Sequence, residues 1–82
     1  MKKTKKTLSY LAIFEPAIEG GFNVSFPDFP GCVTFGDNFK HAQKMAKEAL
    51  ELWLEELAAE KEEIPPSSSN VVLTNIKVAF PR

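Results

Sequence analysis

Eleven carboxylates, one histidine and one cysteine are among the side chains in this 82-residue sequence with the chemistry of a catalytic acid, base or nucleophile. Carboxylates drawn from several elements can hold two divalent cations around a phosphodiester, where the metals stabilise the attacking and leaving oxygens. Such a site needs acids that converge from different parts of the fold. Here the two aspartates, Asp28 and Asp37, fall in turn-forming stretches, where their side chains are suited to bonding nearby backbone. Most of the glutamates crowd into one segment: Lys40 to Glu63 holds four lysines and seven glutamates, a net charge of −3. Clustering of this kind describes a solvated face better than a metal site.

The remaining candidates are weaker. His41 has no serine or cysteine nucleophile close to it in sequence and falls at the start of a helical pattern, which fits a surface residue rather than a general base. Cys32, the single cysteine, excludes an internal disulfide and sits in an apolar strand pattern, so a small buried residue is expected. Gly20 and Gly21 do not open directly into a helix, as a phosphate-cradling loop requires, and read as a hairpin turn. Lys2, Lys3, Lys5 and Lys6 precede the apolar run Leu8 to Phe14, but that run is short, is closed by Glu15 and Pro16 and lacks a small-residue cleavage site. A basic, flexible leader over residues 1–7 of a cytoplasmic protein is expected, without a membrane span.

The elements that must position these residues follow from periodicity. A chain of this length makes one small domain, placed here at residues 8–80, with room for one core. Leu8 to Glu15 reads as a strand apolar on both faces, Leu8, Tyr10, Ala12 and Phe14 on one and Leu11 and Ile13 on the other, and such strands are usually central. Phe22, Val24 and Phe26 alternate with Asn23 and Ser25 in a second strand, Phe22 to Pro27. The run Pro27-Asp28-Phe29-Pro30-Gly31 forces a turn into a third strand, Cys32 to Phe35, ended by Gly36 and Asp37. Asn38 is a suitable N-cap for a long helix to about Lys61, whose stripe of Phe39, Ala42, Ala46, Ala49, Leu50, Trp53 and Leu57 would lie on the sheet. Pro65 prevents the helix from passing Ile64. In Val71 to Phe80, Val72, Ile76, Val78 and Phe80 share a face with Thr74, which predicts a last strand parallel to the first after a right-handed crossover. The expected fold is α+β, a four-stranded mixed sheet in the order 3-2-1-4 with one helix on one face.

The order βββαβ is that of the ribonuclease H core, in which acids of the first strand, the helix and the fourth strand hold two metal ions. The inventory here does not supply them. The first strand offers Glu15 at its end, the fourth offers no acid, and Glu48, Glu51 and Glu55 lie on the helix alone. No catalytic residue, metal ligand or cofactor is therefore assigned.

Three segments together resemble the HicB antitoxin family: Tyr10 to Glu15, Glu19 to Asp37 with its Phe26-Pro27-Asp28-Phe29-Pro30-Gly31-Cys32 turn, and Ala46 to Glu55 with Leu52-Trp53-Leu54-Glu55. The resemblance spans residues 8–66. It implies a partial ribonuclease H-like domain without nuclease activity, which binds and silences a small RNA-cleaving toxin of the HicA type, itself similar to double-stranded-RNA-binding folds and dependent on a histidine. Many relatives continue into a C-terminal DNA-binding module, whereas this sequence stops at Arg82, so direct DNA binding is not expected.

Two surfaces are candidates for partners. A single helix leaves one sheet face open, and Leu11 and Ile13 on that face point to self-association as a dimer or tetramer. Glu51, Glu55 and Glu62, in the acidic segment, are candidates for recruiting a basic toxin. The alternative is a solitary homo-oligomeric domain that binds a small ligand or another regulatory partner.

Overall fold

The computed structural model describes residues 8–67 and 71–81; the basic leader, residues 1–7, lies outside them. Three short strands, β1 (Ile13–Pro16), β2 (Phe22–Ser25) and β3 (Val33–Gly36), form an antiparallel sheet in the order β1-β2-β3. One helix, α1 (Phe39–Ala59), lies across β3 and β2. Ile13 stands opposite Ser25, and Ser25 opposite Val33; one step along, Phe14, Val24 and Thr34 form the next row. Because side chains alternate along a strand, the second row faces the helix, and Val24 at its centre is 1% exposed.

The core is built around two consecutive turns. The amide of Phe29 donates to the carbonyl of Phe26, and that of Cys32 donates to the carbonyl of Phe29, each at 3.0 Å. Proline occupies the second position of both turns, where its fixed φ fits, and Gly31 takes φ 96° in the second. Bonds spaced three residues apart turn the same side inward each time, so Phe26, Phe29 and Cys32 are all buried. Against them α1 presents Ala42 and Ala46. A Cβ on Gly36 would collide with the backbone of Ala42, so the helix sits on β3 at a distance that glycine and alanine alone permit.

Asn38 caps the helix as expected, its side chain accepting from the His41 amide at 2.8 Å. At the other end Glu60 is the C-cap, Lys61 takes φ 58°, and the Glu62 amide donates to Leu57 at 2.9 Å, the closing bond of a left-handed cap. The chain then passes the start of the sheet, where the Tyr10 hydroxyl donates to the Pro65 carbonyl at 2.6 Å.

The expected four-stranded sheet is not formed. Residues 71–81 carry no strand, and Val72, Leu73, Ile76, Val78 and Phe80 are each at least 70% exposed. The radius of gyration is 16.3 Å, against about 12 Å for a compact chain of this length. Alternation reports that a segment has strand chemistry; it does not report which edge, or which molecule, supplies its partner. The first strand is also shorter than Leu8 to Glu15, and it is an edge rather than the centre. Pro27 has no amide to donate, β2 ends at Ser25, and residues 8–12 consequently lack a ladder partner.

Candidate partner-binding surface

The residues singled out for catalysis are occupied with structure. His41 Nδ1 accepts from the Asp37 amide at 2.9 Å, so the ring completes the entry to α1 rather than facing a substrate. Cys32 is 3% exposed, its Sγ is 4.0 Å from the Ala49 carbonyl, and burial pushes its thiol pKa up, which keeps it protonated and unreactive at neutral pH. Among the described residues no three His, Cys, Asp or Glu side chains gather as a metal site requires. No described helix is long and apolar enough to cross a membrane.

What remains open is surface. On the sheet face turned from α1, Ile13, Ser25 and Val33 form one row and Glu15, Asn23 and Phe35 the next. Val33 is 65% exposed and Phe35 40%. This face carries a shallow depression of about 500 Å³ whose floor mixes Asn23 and Ser25 with the apolar residues of β3. Leu11, just ahead of β1, is 36% exposed.

A second feature is a groove of about 530 Å³ between the second half of α1 and the start of β3. Val33, Ala49, Leu52, Trp53 and Leu57 give it an apolar lining, and Glu56 and Glu60 stand at its side. Trp53 is held by the core: its ring lies 6.4 Å from that of Phe29, which in turn meets Tyr10 edge to face at 4.9 Å. The rigid ring thus forms a wall, while Leu52, one residue back on the helix, is left 65% exposed.

The five residues expected to meet a partner are not brought together. Ile13 lies on the open sheet face, and Leu11 shares its side in the strand alternation. Glu51 and Glu55 are exposed one helical turn apart, at angles on α1 opposite the buried Ala42 and Ala46. Glu62 is exposed beyond the end of the helix. The sheet therefore separates Leu11 and Ile13 from the acids. The groove escaped the sequence reading because Leu52 and Glu56 fall between the core stripe and the polar face, where helical periodicity gives no clear assignment. The signal was the adjacent pair Leu52-Trp53, too wide an apolar arc for one packed stripe.

This small α+β domain leaves apolar surface on one sheet face and beside its helix. The family model described as "HicB_like antitoxin of bacterial toxin-antitoxin system" matches residues 10–78. The chain belongs to this family of antitoxins. It is 42% identical over 60 residues to "Antitoxin HicB 1" of Photorhabdus laumondii, an alignment that covers 73% of this chain and 39% of that protein. It is also 34% identical over 61 residues to "UPF0150 protein ssr1765" of Synechocystis, covering 74% of this chain and 77% of the other. A "UPF0150 protein" of Helicobacter pylori is 36% identical over 62 residues, with 76% and 85% covered.

Proposed function

We propose that this chain is a non-catalytic antitoxin that binds and occludes a HicA-type RNA-cleaving toxin. The observation that carries the proposal is the exposed apolar groove flanked by carboxylates on a chain of the HicB-like antitoxin family: Leu52 and Trp53 line it, with Glu56 and Glu60 alongside. An enzyme that cleaves RNA must hold phosphates with lysine and arginine. Glu56 and Glu60 beside the groove compete for those cations, while Leu52 and Trp53 supply the water-excluded centre that a lasting contact needs.

Glu51, Glu55 and Glu62 extend the negative field around the helix end. Their part is recruitment: exposed charges raise the rate of encounter and are screened by salt, whereas the apolar centre sets the lifetime of the complex. Leu11 and Ile13 belong to a separate contact surface on the sheet. A toxin that acts on RNA places this interaction in the bacterial cytoplasm.

Co-expression tests the proposal. Cells making the cognate toxin should resume growth when they also make this chain, and Leu52→Glu should remove the protection. Replacing Glu51, Glu55 and Glu56 together by glutamine should slow association several-fold at low salt and hardly at high salt. Growth arrest unrelieved by the wild-type chain contradicts the antitoxin role; relief that survives Leu52→Glu contradicts only the assignment of the groove.

A further inference from the structure

The two outer edges of the sheet are not alike, and Pro16 determines what each one offers. In an antiparallel ladder, pairs that exchange both backbone bonds alternate with pairs that exchange none. Pro16 has no amide, so its pair with Phe22 is of the second kind, and the bonded pairs of β1 and β2 are Ile13 with Ser25 and Glu15 with Asn23. Backbone groups alternate in direction along β2, so Phe22 and Val24 bond to Gly36 and Thr34 of β3. That leaves the amides and carbonyls of Val33 and Phe35 pointing outward from β3, and those of Phe14 outward from β1, where Pro16 adds a carbonyl alone. Among the described residues no backbone bond outside the ladder falls on Val33, Phe35 or Phe14. Proline and charged side chains blunt an exposed edge, and β3, Val33-Thr34-Phe35-Gly36, holds neither.

On the antitoxin reading, which this step presupposes, we infer that an extended strand of the RNA-binding toxin adds to the outer edge of β3 and exchanges backbone hydrogen bonds with Val33 and Phe35. Main-chain pairing holds such a strand, and pockets for alternate side chains select it. Both are present at this edge. Residues of the added strand that point to the helix side enter the groove at Leu52 and Trp53, and the residues between them lie beside Val33 and Phe35 on the open face. Val33 belongs to both the edge and the groove, so the two form one surface.

Charge selects the occupant. Glu56 and Glu60 stand beside the groove, and a chain that holds RNA carries lysine and arginine to meet them. The strand that fits has an apolar residue at the groove and a lysine or arginine two positions away, on the same face. A second copy of this chain lacks that pattern. Pairing β3 with β3 would bring two sets of Glu56 and Glu60 toward one border, and β3 has no cation to set between them.

Amide hydrogen exchange of the wild-type chain, alone and saturated with purified cognate toxin, reads this edge residue by residue. Val33 and Phe35 should exchange far more slowly in the complex, whereas Phe14 on the opposite edge should keep its rate. Val33→Pro removes one outward amide and no bond between β2 and β3, so it should melt close to the wild type and bind the toxin about tenfold more weakly. Val33→Ala keeps that amide and should lose much less affinity. A complex in which Val33 and Phe35 exchange as in the free chain overturns the inference and leaves the antitoxin reading standing. Protection of both amides that rises with the concentration of the chain alone also overturns it, since a second copy then takes the edge. A chain that does not bind its toxin removes the reading and the inference together.

Discussion

The junction of the 26–32 turns with α1 and the segment 71–81 are both rich in apolar residues, yet they meet opposite fates. At the junction, Phe26, Phe29 and Cys32 are 4% exposed or less, and every one takes part in a local turn bond. In the C-terminal segment, Val72, Ile76, Val78 and Phe80 are 78% exposed or more, and among the described residues no backbone hydrogen bond falls on them. The difference lies in where the backbone finds partners. Apolar residues on a locally closed backbone build the domain; the same residue types on an open backbone stay exposed.

The sharpest way to break this contrast is to remove a pillar of the junction. Phe29→Ala deletes a ring that touches both Tyr10 and Trp53, and truncation of a buried phenylalanine costs about 3–5 kcal/mol. A domain of this size has only about 4–12 kcal/mol in total, so thermal unfolding of the variant should lose much of its cooperativity. A melting temperature within a few degrees of the wild type would mean that the turn cluster does not carry the fold.

Asn38→Ala tests the local end of the same region more gently. It removes the acceptor for the His41 amide and should cost about 1 kcal/mol in a urea titration. The slope of the transition should stay the same, because the surface exposed on unfolding hardly changes.

The smallest effect is expected in the other region. Val78→Lys, measured at concentrations low enough to keep chains apart, should change stability by no more than about 0.5 kcal/mol, as for an ordinary surface site. A loss of several kcal/mol in the dilute chain would mean that residues 71–81 pack within their own molecule.

The same contrast explains what could be read in advance. The meander, the Pro-Gly turn, the Asn38 cap and the helix stripe were legible because each is specified within a few residues: proline sets φ, glycine admits a positive φ, and a 3.6 period fixes one helix face. The fourth strand expected over Val71 to Phe80 is not formed, because alternation alone does not supply a pairing partner, and pairing is a relation between distant segments. The position of the first strand failed for a related reason. Apolar residues on both faces of Leu8 to Glu15 suggested a central strand, but Pro27 cuts β2 short and leaves β1 at the edge. Of the surfaces, the open sheet face on which Ile13 lies followed from counting how many sheet faces one helix can cover. The groove did not, since its lining joins Val33 of β3 to Leu52 and Trp53 of α1, and only the packing of the helix across β3 brings them together.

The central functional claim is that this chain silences an RNA-cleaving toxin by covering its basic surface, and a ribonuclease titration tests it most directly. Purified cognate toxin is incubated with a structured RNA substrate while the chain is added in increasing amounts. Cleavage should fall linearly and vanish at a fixed stoichiometric ratio, with Leu52→Glu requiring a large excess for the same effect. Cleavage that continues undiminished in the presence of excess wild-type chain would contradict the account.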